Sequence, residues 1–126
     1  MMKMVNKNTQ SLSSSFKNAW QGILHAIVNE RNFKIHLAFA SLAIILCVIL
    51  PIDRLHIFMV TYSIFLVLCT ELINTAVEAA VDLCCGNKIH PLAKIAKDCC
   101  AGAVLLASVQ AVIVAVFVAQ HIISRL

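Results

Sequence analysis

Polar and apolar positions alternate along this chain in two distinct ways. Between residues 13 and 30, Phe16, Trp20, Ile23, Leu24, Ile27 and Val28 recur at helical intervals, while Lys17, Asn18, Gln21, His25 and Asn29 take the other positions. This predicts an amphipathic helix too polar to span a bilayer and suited to lie in its interface, with Trp20 at headgroup level. The same periodicity also serves a helix packed on a protein core. Three apolar runs follow, at about 33–50, 55–81 and 99–123. A spanning helix needs roughly 17–25 residues, so each run is long enough for one. The first run is the shortest; Lys34 at its start can snorkel, and Pro51 stops it. Ser108 and Gln110 interrupt the third. The short Pro51-Ile52-Asp53-Arg54 connection predicts that spans one and two form an antiparallel hairpin. Residues 1–12 are expected to be a disordered polar N-terminus, and 13–126 a single membrane domain.

Composition removes the alternatives. Of 126 residues, 61% are hydrophobic and 13% charged, with mean hydropathy +0.91. Soluble domains are about 45–50% apolar and about 25% charged. A globule this small could not bury the excess. A soluble enzyme, a disordered tail and a nucleic-acid-binding module are therefore excluded, and the fold class is an all-α membrane protein. The net charge of +4 refines this through its placement. Eight of the ten Lys and Arg residues lie in the N-terminal segment or in 83–98, which predicts that these two regions face the cytoplasm. No cleavable signal peptide is expected. Cys47 and Cys69 lie inside apolar runs, and the adjacent pairs Cys84–Cys85 and Cys99–Cys100 lack C-x-x-C spacing. They read as small hydrophobes, not as a disulfide framework or a zinc site. His36, His56 and His121 read as isolated interfacial residues.

The candidate chemistry lies in Glu71-Leu-Ile-Asn74-Thr75-Ala-Val-Glu78-Ala-Ala-Val-Asp82. At about 100° per residue, these four polar groups fall within an arc of roughly 80°, in a column about 16 Å long. Acidic groups in a membrane helix cost at least about 2.5 kcal/mol each near the centre and mark function by default. Asp82 alone also reads as a marker of the water boundary. Carboxylates seven residues apart can divide labour, one holding a hard cation such as Mg²⁺ and the deeper one taking a proton from a lipid hydroxyl. Lys94, Lys97 and His90 in the following loop and its flank supply compensating charge, and Lys97 could meet a phosphate. Glu30 is a further candidate oxygen ligand, or a partner for Arg31 or Lys34. No standard phosphate-binding glycine loop is present. A cation-coupled transporter or a structural subunit would also be compatible with these residues.

The residues named above, together with His90-Pro-Leu-Ala-Lys94-Ile-Ala-Lys97-Asp98, Ala101-Gly102-Ala103-Val104, Phe16-x-x-Ala19-x-x-Gly22 and Glu30-Arg31-Asn32-Phe33-x-x-His36, resemble the bacterial diacylglycerol kinase/undecaprenol kinase family. The resemblance runs from residue 16 to about 120. It implies an interfacial helix, three spans, a homotrimer in the bacterial cytoplasmic membrane, and sites at subunit boundaries. It implies ATP- and Mg²⁺-dependent phosphorylation of a lipid alcohol. In such enzymes Glu71 would act as base on the lipid hydroxyl. Glu30 and Glu78 would hold the metal and, with Asn74, His90, Lys97 and Asp98, bind the nucleotide; Glu71 and Ala101 would contact the lipid. The Glu30-Arg-Asn-Phe and His90-Pro-Leu-Ala-Lys segments look nearer the undecaprenol kinase branch, with diacylglycerol as the alternative substrate. Asn18 and Ser11 depart from the diacylglycerol branch, which commonly has Tyr and Arg there.

Overall fold

The computed structural model describes residues 11–86 and 88–125, and among them the only regular structure is four helices: α1 (Leu12–Asn29), α2 (Arg31–Ile49), α3 (Arg54–Cys85) and α4 (Pro91–Ile123). The first ten residues of the expected polar N-terminus, with Lys3 and Lys7, lie outside the described residues. Helix α1 begins where the Ser11 hydroxyl accepts the N–H of Ser14 at 3.2 Å. Leu12, Phe16, Trp20, Leu24 and Val28 recur every four residues along its exposed side, while Ala26 is buried. This is the apolar face an interfacial helix sets into the headgroup boundary.

Glu30 alone separates α1 from α2. Its backbone is extended (φ −94°, ψ 118°). Its N–H donates to the Ala26 carbonyl at 2.9 Å, and its own carbonyl accepts the N–H of Lys34 at 3.2 Å. One residue therefore closes the first helix and opens the second. Its carboxylate makes no capping hydrogen bond.

Helices α2, α3 and α4 are each long and apolar enough to cross a membrane. The most extensive packing is between α3 and α4, with α2 against α3. Small buried side chains, Ser63 on α3 and Ala107 on α4, allow close approach. A polar link joins the pair: Gln110 Nε2 donates to Ser63 Oγ at 3.0 Å, and Ser63 in turn donates to the Met59 carbonyl at 2.8 Å.

The cytoplasm-facing loop predicted at 83–98 is mostly helix. With 32 and 33 residues, α3 and α4 are about 48–50 Å long, well beyond the roughly 30 Å of a hydrocarbon core. Among the described residues, only Gly86 and 88–90 lie between them. Gly86 stops α3 in the left-handed region (φ 56°). Pro91 starts α4 with φ preset, and His90 Nδ1 caps it by accepting the Leu92 N–H at 3.2 Å. Lys94, Lys97 and Asp98 thus ride on the first turns of a helix, because polar sequence outside the bilayer can remain helical.

At the other end of the hairpin, Asp53 caps α3 by accepting the His56 N–H at 3.1 Å. Its carboxylate also pairs with the His56 ring. Those two hydrogen bonds, aided by the charges of His56 and His121, hold the Asp53 carboxyl below the usual carboxylate range. His56 and His121 are not isolated, as the sequence had suggested. Their rings stack with centroids 4.1 Å apart, because the antiparallel hairpin sets the first turn of α3 beside the last turn of α4.

Candidate functional site

The acidic column occupies the C-terminal half of α3, and burial decreases along it. Glu71 is 2% exposed and Asn74 is buried, Glu78 is half-buried, and Asp82 is exposed. The gradient follows the helix as it rises out of the bundle. Asn74 Nδ2 donates to Glu78 Oε1 at 3.0 Å, fixing one carboxylate from the preceding turn. The other end of the same amide, Asn74 Oδ1, is buried without a hydrogen-bond partner among the described residues, as is Thr75 Oγ1. The i, i+4 spacing of Asn74 and Glu78 makes their bond legible in the sequence. Thr75 carries no such signal, since a threonine in an apolar helix ordinarily bonds back to its own backbone.

Glu30 is half-buried at the α1–α2 junction. Glu30, Glu78 and His36 on α2 lie within electrostatic reach of Glu71. His36 is the residue that sequence reasoning misplaced. It stands in the Glu30-Arg-Asn-Phe-x-x-His36 run, but only the packing of α2 on α3 shows what it faces. The three carboxylates do not close to within 4.8 Å of one another. An ion held here would draw on one or two of them, with its remaining positions open to substrate oxygens.

Lys97, Asp98 and His90 form a second, outer group. Lys97 Nζ donates to Asp82 Oδ1 at 2.6 Å, joining the start of α4 to the top of the column. Lys94 pairs with Asp98 one turn further on. Together with Gly86 these residues line a shallow recess of about 300 Å³ between the two helix ends. Of the residues predicted to bind nucleotide, His90, Lys97 and Asp98 share this recess, whereas Glu30, Asn74 and Glu78 lie deeper, with Glu71. Ala101 is exposed on α4, one turn beyond Lys97.

An apolar groove of about 530 Å³ runs between α2, α3 and α4, with His36 at one end and Ile52 and Ile122 at the other. Leu42, Ile64 and Val112 are among its walls. The site thus combines a bilayer-depth groove, a buried carboxylate, two further carboxylates and an outer pair of lysines. A buried carboxylate can accept a proton, hard oxygen donors can hold a hard cation, and lysines can meet phosphate.

Comparison with known proteins gives this arrangement a context. A family profile described as prokaryotic diacylglycerol kinase matches residues 17–119. A diacylglycerol kinase of Synechocystis is 46% identical over 105 residues, covering 82% of this chain and 59% of that protein. An undecaprenol kinase of Bacillus subtilis is 40% identical over 108 residues, covering 82% and 84%. A diacylglycerol kinase of Escherichia coli is 34% identical over 109 residues, covering 84% and 88%. The aligned stretch therefore spans about three fifths of the Synechocystis relative and most of the other two.

Proposed function

Because the chain belongs to the prokaryotic diacylglycerol kinase family, a family of membrane lipid kinases, we propose that it phosphorylates the hydroxyl of a membrane lipid alcohol with Mg²⁺-ATP. The observation that carries this reading is the column itself. A buried carboxylate stands at its foot and a lysine-bearing recess at its head, about 16 Å apart along α3. The groove ending at His36 supports a lipid chain reaching Glu71 from within the bilayer.

Each residue has a role in this reaction. Glu71 takes the proton of the lipid hydroxyl on a carboxylate oxygen. The freed lipid oxygen bonds to the γ-phosphorus as the bond to the bridging oxygen breaks, and ADP leaves. Glu78, oriented by Asn74, and Glu30, whose carboxylate makes no capping bond, would hold Mg²⁺. The bound ion would neutralise charge on the phosphates. His90, Lys97 and Asp98 would bind the nucleotide from the recess, and Ala101 would border the lipid. Positioning and electrostatics carry most of the catalysis in phosphoryl transfer, which suits a site built from few groups.

The preferred lipid is undecaprenol, on the Glu30-Arg-Asn-Phe and His90-Pro-Leu-Ala-Lys segments. The 46% identity to a protein named diacylglycerol kinase favours diacylglycerol as the second reading. The working form is a homotrimer in a bacterial cytoplasmic membrane with its N-terminus in the cytoplasm. Supplying radiolabelled ATP with undecaprenol, diacylglycerol or ceramide in mixed micelles tests the reading. Label is expected in the first and, less efficiently, in the second. Absence of lipid labelling with any of the three, accompanied by cation flux in liposomes without ATP consumption, would replace the kinase by a transporter.

A further inference from the structure

The end of the hairpin opposite the acidic column holds a side-chain cluster that the kinase reading does not use. Among the described residues, Asp53, His56 and His121 are the one group of three whose ligand atoms all lie within 4.8 Å of one another. The two imidazoles address the two oxygens of one carboxylate. His56 Nδ1 pairs with Asp53 Oδ1, and His121 Nε2 lies 3.5 Å from Asp53 Oδ2. The second contact is too long for a good hydrogen bond, and His121 Nε2 is buried without a hydrogen-bond partner. His56 is 5% exposed, and its own Nε2 is also unpartnered. Buried polar atoms are ordinarily satisfied, so the orphaned His121 Nε2, facing the Asp53 carboxylate that His56 Nδ1 also faces, asks for a ligand.

We propose that Asp53, His56 and His121 form a binding site for a divalent transition metal of the zinc type, which clips the first loop and the start of α3 to the end of α4. The donor set selects the ion. Imidazole nitrogen with a single carboxylate suits zinc and its neighbours, whereas Mg²⁺ and Ca²⁺ take oxygen ligands. Zinc holds nitrogen at about 2.0–2.1 Å and carboxylate oxygen at about 2.0–2.2 Å, so tetrahedral ligand atoms stand roughly 3.3 Å apart. His121 Nε2 and Asp53 Oδ2, 3.5 Å apart, already stand close to that value, while the His56 Nδ1–Asp53 Oδ1 pair would open to admit the ion. Asp53 is already held by a hydrogen bond from the His56 N–H, the outer support that metal ligands ordinarily have. The side chains of Asp53 and His121 are 39% and 26% exposed, which gives an ion a path in and leaves its fourth position to water. The site stands apart from the proposed base. His56 and Glu71 are separated by about 22 Å along α3.

Cobalt(II) is the probe that distinguishes this cluster from the six cysteines. The full chain, purified in detergent and stripped of metal, is titrated with Co²⁺ and followed by absorption. The expected result is one ion per chain, a visible ligand-field band, no near-ultraviolet thiolate band, and displacement by Zn²⁺. His121→Ala, in the last turn of α4, should keep its helical circular dichroism. Because an outer-shell partner is already worth about 10–100-fold in affinity, loss of this ligand should weaken binding by at least roughly 100-fold. Asp53→Asn should weaken it as well, which keeps the test open should His56→Ala fail to fold. A thiolate band at saturation, no cobalt binding, or equal affinity in His121→Ala would each overturn the proposal. The readout requires no turnover, so its failure leaves the kinase reading untouched.

Discussion

The two ends of the α3–α4 hairpin solve the problem of polar groups in a membrane protein differently. At the Glu71 end, the column's four groups all lie on one helix at successive turns, and exposure increases along them toward Asp82. At the Asp53 end, the groups come from two helices, and His56 and His121 stack face to face. The first arrangement is graded and open, with an unpartnered amide oxygen on Asn74 and a recess above it. The second is compact, with two imidazoles facing one carboxylate. A graded column can pass a proton, an ion and a phosphate between depths, while a compact cluster can hold one small thing in place. Under the two proposals, turnover belongs to one end and fastening to the other.

The largest effect should come from the foot of the column. A positioned general base contributes about 10²–10⁴-fold, so Glu71→Gln should lower kcat by that factor while Mg²⁺-ATP still binds. Near-normal turnover at saturating ATP with lost nucleotide binding would move Glu71 to the metal ligands. Glu30→Gln and Glu78→Gln should instead shift the dependence on Mg²⁺. Each should weaken it by at least the roughly 10–100-fold that an outer-shell partner is worth, seen as a raised half-saturating Mg²⁺ concentration. Unchanged Mg²⁺ dependence in both variants would remove them from the metal site.

Smaller effects sharpen the contrast. Asn74→Leu deletes the bond to Glu78; a hydrogen bond to a charged group is worth about 1.5–3 kcal/mol, so the KM for Mg²⁺-ATP should rise by about tenfold or more. Restoration by Asn74→Gln would argue for positioning. The smallest effect should be at the far end. Sites more than about 7–10 Å apart without shared partners act independently, so His121→Ala should leave lipid phosphorylation within about twofold of the parent. A larger loss of activity would mean that the two ends are coupled and that the division drawn above is wrong.

The contrast also explains what the sequence could reveal. Glu71, Asn74, Glu78 and Asp82 share a helix, and helical geometry alone aligns them. Three spans follow from three apolar runs, and Pro51 marks the turn between the first two. His36, His56 and His121 are different. Each stands alone in its own segment, and what it faces depends on how α2 and α4 lie on α3. No periodicity within one segment encodes that. The misread loop has a third cause. Lys94, Lys97 and Asp98 are polar because α4 extends past the bilayer there, and polarity reports the solvent and says nothing of the backbone. The capping signals, His90 before Pro91 and Gly86 after α3, were present and gave the true boundaries.

The length of α3 makes the surrounding lipid part of the enzyme's geometry. Glu71 lies 17 residues beyond the first residue of the helix, Arg54, or about 26 Å along it, against a hydrocarbon thickness of roughly 30 Å. A bilayer anchored at the Asp53 end therefore acts as a gauge that sets how high a lipid hydroxyl stands relative to the proposed base. Hydrophobic mismatch of a few ångströms is accommodated by tilt or local thinning at modest cost. Proton transfer, in contrast, tolerates only hydrogen-bond distances of about 2.6–3.2 Å. The same mismatch that barely perturbs the fold would carry the substrate out of register with Glu71, so membrane thickness becomes a variable of catalysis.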